Sequence, residues 1–343
     1  MTAVETTALT SALAPPIPAV PGAVGAAVPA TGGRGAVRTV LWSGLVLAFA
    51  TTCLLNGLPT DRVLLLGWVL AALAVHAGTD GWRRVGRLLA DWLPLAALLL
   101  AYDASRGFAD GLGMRVHVTE PAAVDRWLGG GLLPTVWLQQ HWQADWWSAL
   151  ATLVYSSHFV LTPVLLGVLW VRNRALWGRY ARRVVALSAA GLLTYVLYPA
   201  APPWLAARDG VVEPIDRLSG SGWHVLGLPR AGALLADSQG QVNPVAAVPS
   251  LHTAFAVLPC LILLPLARRV WQRVVLIGYA VLMPLVLVWS GEHYVVDTLL
   301  GALYAAAVSV LLAAAGHALR PVLGRWTPTV AAARAVPRPR TAA

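Results

Sequence analysis

Apolar residues in this chain run in long, nearly unbroken stretches, and the polar residues gather between the stretches rather than alternating with them. Eight stretches have about the length a helix needs to cross a hydrocarbon core, which is roughly 20 residues. They lie at about 37–58, 62–79, 87–104, 146–171, 183–201, 249–267, 273–290 and 294–318. Backbone polar groups in lipid must be satisfied within the segment, so each stretch is predicted as an α-helix. Only Gly291-Glu292-His293 separates the last two, which forces a tight antiparallel hairpin. The pattern predicts an all-α integral membrane protein of about eight transmembrane helices over 36–320. Tails at 1–35 and 321–343 are expected to be disordered: prolines at 15, 16, 18, 21 and 29 interrupt any helix in the first, and Pro and Arg dominate the end of the second. The first tail lacks the charged start and unbroken apolar core of a signal peptide, so cleavage there is not expected.

Composition sharpens this picture. The chain is 58% hydrophobic and 12% charged, which no soluble domain of 343 residues would be. All 25 basic residues are arginine, and the net charge is +10. That charge could suggest nucleic acid as a partner, but the arginines punctuate the apolar stretches, as membrane anchors do. In an eight-span arrangement all but seven of them fall on one side; the seven are Arg62, Arg106, Arg115, Arg126, Arg208, Arg217 and Arg230. The arginine-rich side is expected to be cytoplasmic, with both termini there. The long connections at about 105–145 and 202–248, and the Gly291-Glu292-His293 turn, then face outward. Cys53 and Cys260 sit inside apolar runs and suit neither a disulfide nor a metal. Lysine-free, Ala/Gly/Arg-rich usage is typical of GC-rich bacterial genomes, so a bacterial cell membrane is the expected location. The first outer connection carries Trp127, Trp137, Trp142, Trp146 and Trp147, which read either as an aromatic belt at the headgroup level or as a lid over a lipid substrate.

Candidate chemistry lies between Pro249 and Gly301. His293 and Asp297 are four apart at the start of the last stretch, so a helix there puts them on one face, one turn apart. A carboxylate beside an imidazole fixes its tautomer and supports positive charge on it, which suits a nucleophile or a base. His252 begins the sixth stretch on the same side of the membrane. A helix N-terminus there supplies unpaired N–H groups to an anion, and Pro249 suits a first helical turn. A lone interfacial histidine is ordinarily only a wetted polar side chain, but Asp297 within a span is costly and marks a functional site. His158 lies roughly 18 Å along the fourth helix and could pair with Asp91 or Asp103. His76 and His317 fall near cytoplasmic ends and read as structural. Two histidines and Asp297 could ligate zinc, but no cysteine or carboxylate cluster supports it, and no metal or cofactor is expected. The same His/Asp cluster would also serve a proton-coupled transporter, although no track of titratable residues continues across the membrane.

Pro249-Ser250-Leu251-His252 and His293-Tyr294-Val295-Val296-Asp297 resemble two signatures of the type 2 phosphatidic acid phosphatase superfamily. With Gly291-Glu292 and Tyr198-Pro199-Ala200-Ala201-Pro202-Pro203 added, the chain resembles its inositol phosphorylceramide synthase-like branch. The likeness covers about 100–301. It implies a six-helix phosphatase-type catalytic bundle within a core of about 100–318. It also implies a phosphatase or phosphotransferase acting on a lipid or polyprenyl phosphate through a phosphohistidine on His293. Asp297 would orient His293, and His252 would act as general acid. Ser250 and Tyr294, inside the signatures, are candidate substrate contacts. Two positions depart from the family: Leu287 stands where an arginine is usual, and Pro202-Pro203-Trp204 where a lysine-led motif would end in Arg-Pro. Phosphate binding then falls to outer arginines, first Arg106 and second Arg208, with Arg106 reading equally well as a snorkelling anchor.

Overall fold

A computed structural model describes residues 32–56, 62–106, 114–230, 232–233 and 243–324, with the side chains of 32–34, 62–63, 102–106 and 317–324 left undescribed. The tails expected to be disordered lie largely outside these residues. Helices fill all eight apolar stretches: α1 (Gly32–Asn56), α2 (Arg62–Asp80), α3 (Trp82–Arg106), α6 (Asp145–Arg172), α7 (Arg174–Leu197), α10 (Leu251–Leu263), α11 (Val270–Trp289) and α12 (Val295–Gly324). The described parts of the two long connections carry helices of their own. The first folds into α4 (Thr119–Leu128) and α5 (Pro134–His141), the second into α8 (Pro203–Arg208) and α9 (Gly222–Val225). Among the described residues the only β pairing is two isolated parallel bridges, His117 with Ala200 and Ala200 with Ala246.

Four helices are long and apolar enough to cross a membrane by length and composition: Gly35–Leu55, Asp145–Arg172, Val270–Trp289 and Val295–Gly316. Leu64–Asp80 and Leu251–Leu266 are apolar but shorter. The protein is a multi-pass membrane protein, and its outer surface fits that environment: Val274, Val281, Leu299, Leu303, Val310 and Leu311 project from α11 and α12 with most of their side-chain area exposed.

α10 is the hub. It packs most closely against α12 and α11 and also touches α6 and α7, while α2 and α3 lean on α6 and α7 from outside. The main core joins Leu166 and Trp170 of α6, Tyr180 and Leu187 of α7, and Leu251 and Leu258 of α10 to Leu73 and Trp92 of α2 and α3. Asn173 separates α6 from α7, its side chain capping α7 by accepting the Leu176 N–H at 3.0 Å. Asp91, a suggested partner of His158, is instead held by Arg174 at 2.7 and 2.8 Å and by the Trp170 indole N–H at 2.9 Å. A bidentate guanidinium at a helix end outcompetes a distant imidazole for that carboxylate. Asp103, the other suggestion, lies outside the described side chains.

Candidate active site

α10 is the shortest of the eight helices, and its start fixes the depth of the site. At ~1.5 Å per residue its 13 residues span about 20 Å, against about 42 Å for the 28 of α6. Its N-terminus therefore reaches only part-way along α6, beside the middle of that helix rather than its first turn. His252 stacks there on Tyr155 of α6, ring centroids 5.1 Å apart, and meets the His158 ring at a tilt of 35°, centroids 4.0 Å apart. His158 thus stands beside His252, because the middle of α6 lies level with the start of α10.

Ser250 caps α10, its Oγ accepting the Thr253 N–H at 3.3 Å, and it is fully buried. That makes Ser250 the N-cap of α10. Pro249 precedes the cap instead of opening the first turn, and its carbonyl accepts a hydrogen bond from the Tyr195 hydroxyl at 3.0 Å. The Ser250 N–H donates to the Asp297 carbonyl at 3.0 Å, which ties the start of α10 to the first turn of α12. Contact is close enough that only glycine fits: a Cβ on Gly301 would stand 2.2 Å from the Ser250 carbonyl oxygen.

The helix α12 starts at Val295, so His293 lies in the turn before it rather than in the helix itself. The spacing of four still brings the pair together, with His293 Nδ1 3.5 Å from Asp297 Oδ2. Asp297 holds the intervening bend, because its Oδ2 accepts the Tyr294 N–H at 2.9 Å. Gly291 makes the turn possible: its φ is +75°, and a Cβ would meet the Asp216 carbonyl at 2.7 Å. The His252 and His293 rings are 5.7 Å apart. His293 is 6% exposed and Asp297 not at all. Two imidazoles on neighbouring helix starts, one backed by a carboxylate, can attack an electrophile and deliver a proton beside it.

Tyr294 is fully buried with Ala122, Leu133 and Ile215. Arg208 is exposed at the end of α8, paired with Asp209 at 3.0 Å and 5.8 Å from the Trp204 ring. Arg106 closes α3, and its side chain is outside the described residues.

Several residues carry more of the site than the sequence suggested. Asp125 of α4 is completely buried, and its two oxygens accept the Val295 and Val296 N–H groups at 2.9 and 3.0 Å, capping α12 from another element. Burial raises its carboxyl to about 6, against the pull of those two N–H donors and with the Asp297 charge adding to the rise. Gln139 of α5 clamps the second long connection to the end of α11, donating to the Asp216 carbonyl at 2.8 Å and the Trp289 carbonyl at 2.9 Å. Glu292 accepts from Arg217 Nε at 2.7 Å and from Ser219 Oγ at 2.6 Å. No sequence spacing links Asp125 to Val295 or Arg217 to Glu292. The available signal was the acid or arginine itself, Asp125 in the tryptophan-rich connection and Arg217 in the 202–248 connection. Of those tryptophans, Trp147 is buried against Trp289, while Trp127 and Trp146 are exposed.

The sequence profile of the PAP2 superfamily matches residues 120–312, more than half of the chain. A phosphoinositol dihydroceramide synthase of Bacteroides thetaiotaomicron is 32% identical over 173 residues, covering 47% of this chain and 53% of that protein. The chain thus spans about half the length of the curated relative it matches. No solved structure matches.

Proposed function

This chain belongs to the PAP2 superfamily, and on that premise we propose that it is a membrane-embedded phosphotransferase or phosphatase working through a phosphohistidine on His293. The observation that carries the reading is the His252–His293–Asp297 arrangement, with rings 5.7 Å apart and the carboxylate 3.5 Å from Nδ1. Nδ1 faces Asp297, so Nε2 is the nitrogen left to attack phosphorus. As the P–N bond forms, the bond from phosphorus to the departing oxygen breaks, and protonated His252 gives that oxygen its proton. Neutral His252 then takes the proton of an incoming hydroxyl, which attacks phosphorus and breaks the P–N bond. Asp297 offsets the positive charge on His293 throughout.

Water as the incoming hydroxyl gives hydrolysis; an alcohol gives transfer. The similarity to a phosphoinositol dihydroceramide synthase favours transfer of a phosphate-linked headgroup between lipids, as in inositol phosphorylceramide synthase-like enzymes. The substrate on this reading is a lipid or polyprenyl phosphate reaching the site from the bilayer. The arginine distribution supports an extracytoplasmic site with both termini cytoplasmic, and a catalytic core of about 100–318 within a 36–320 membrane domain.

The test incubates purified protein with labelled lipid phosphates and phosphoinositides, with and without a ceramide-type alcohol. A new labelled lipid that appears only with the alcohol supports transfer, and labelled free phosphate supports hydrolysis. Either activity persisting in His293→Ala would overturn the reading.

A further inference from the structure

A phosphoryl group under attack gathers negative charge on its non-bridging oxygens, and that charge needs donors fixed in advance. Leu287, on α11, is fully buried and apolar, and Pro202 and Pro203 have no N–H at all. Cationic donors concentrate instead around Trp204. The Arg217 guanidinium lies 4.7 Å from the centre of that indole, and Arg208 approaches the same ring at 5.8 Å. The Trp204 N–H donates to the Gly291 carbonyl at 3.1 Å, so the aromatic platform is pinned to the turn that carries His293.

Arg217 is tied to the cluster from two directions. Its Nε and Nη2 meet the two Glu292 oxygens at 2.7 and 3.3 Å, and Glu292 is the residue next to His293. It also shares a side-chain hydrogen bond with Tyr155, the ring stacked on His252. Glu292 is 8% exposed and receives a further hydrogen bond from Ser219, so the carboxylate is itself fixed. Burial works against the Arg217 charge and Glu292 outweighs it, holding the guanidinium above its ordinary range and always cationic. A surface ion pair would have no need of this construction. An aromatic face that sets the plane and a carboxylate that sets the rotation, around a half-exposed guanidinium, are what an arginine needs to meet a tetrahedral oxyanion.

We propose that Arg217 binds the substrate phosphate in this site, laid on Trp204 and aligned by Glu292 so that it donates to the non-bridging oxygens of the phosphoryl group that His293 attacks. This rests on His293 being the nucleophile. Arg217 makes and breaks no covalent bond and moves no proton; it meets charge that appears as the P–N bond forms. Glu292 and Ser219 are positioning residues that act through it. Arg208, exposed and paired with Asp209, contributes less.

The experiment measures orthovanadate binding by calorimetry, with turnover alongside, on the full-length protein in detergent. Arg217→Gln is expected to weaken vanadate binding and turnover by about 100-fold, with Arg217→Lys in between and Arg208→Gln within about 5-fold of wild type. Because Arg217→Gln strands a buried carboxylate, the double variant Arg217→Gln/Glu292→Gln is measured as well. It should regain thermal stability without regaining vanadate binding. Binding restored in the double variant, or wild-type binding in Arg217→Gln, would show that Arg217 serves only the fold. Turnover that depends on His293 but not on Arg217 sinks this inference and leaves the nucleophile standing. Turnover independent of His293 removes both.

Discussion

Asp297 does two jobs with one oxygen, accepting the Tyr294 N–H and facing His293 Nδ1, and Asn can keep the first while losing the charge needed for the second. Asp297→Asn is therefore expected to insert and fold but to lose turnover by about 100-fold or more, with substrate affinity changed little; activity assays beside thermal unfolding separate the two. Asp125 yields a pH prediction. Its carboxyl titrates at about 6 in the fold against an ordinary 3.8, so the folded state holds this proton more tightly than the unfolded chain. Its contribution to stability is then complete below the ordinary value and lost as pH rises through about 6. Asp125→Asn does not titrate, so melting temperatures should converge on or move past wild type as pH is raised from about 4 to about 7, and the difference should stay flat above that. A pH-independent difference would contradict the assignment. His293, Asp297 and His252 were legible in the sequence because periodicity alone links the first two. Asp125 and Arg217 were not, because their partners lie far away along the chain and only the folded connections bring them together.

At the scale of elements, the active cluster depends on how near α10 approaches α12. Gly301 sets that distance, since any Cβ there would drive into the Ser250 carbonyl. Gly301→Ala should push the start of α10 outward and with it His252 from His293, lowering turnover at least about 10-fold at a stability cost of roughly 1–3 kcal/mol. Unchanged kinetics in that variant would mean that the spacing of the two histidines is not critical. Helix positions were readable from apolar runs, because lipid leaves the backbone no alternative. Helix starts were less so. The true beginning of α12 depends on a bend held by Asp297 and capped by Asp125, and the start of α10 is fixed by the Ser250 N–H bond to the Asp297 carbonyl.

For the whole molecule, five long helices from α6 onward surround the cluster, with α2 and α3 packed outside them. The connections act as a clasp: Asp125, Gln139 and Arg217 each tie a separate segment to the stretch from Trp289 to Val296. The family assignment sets enzymatic function above the transporter reading that the same titratable residues allowed. The proposed orientation places the 202–248 connection outside the cell, so single cysteines introduced there should react with a membrane-impermeant maleimide on intact cells. Protection there, with labelling only after lysis, would invert the topology. The central claim is the phosphohistidine, and rapid quenching with a substrate labelled on phosphorus tests it most directly. The expected result is an acid-labile, alkali-stable label on the protein that maps to His293, is absent in His293→Ala and accumulates when the acceptor is withheld. Steady turnover with no protein-bound label at any quench time, or a label that persists in His293→Ala, would contradict it.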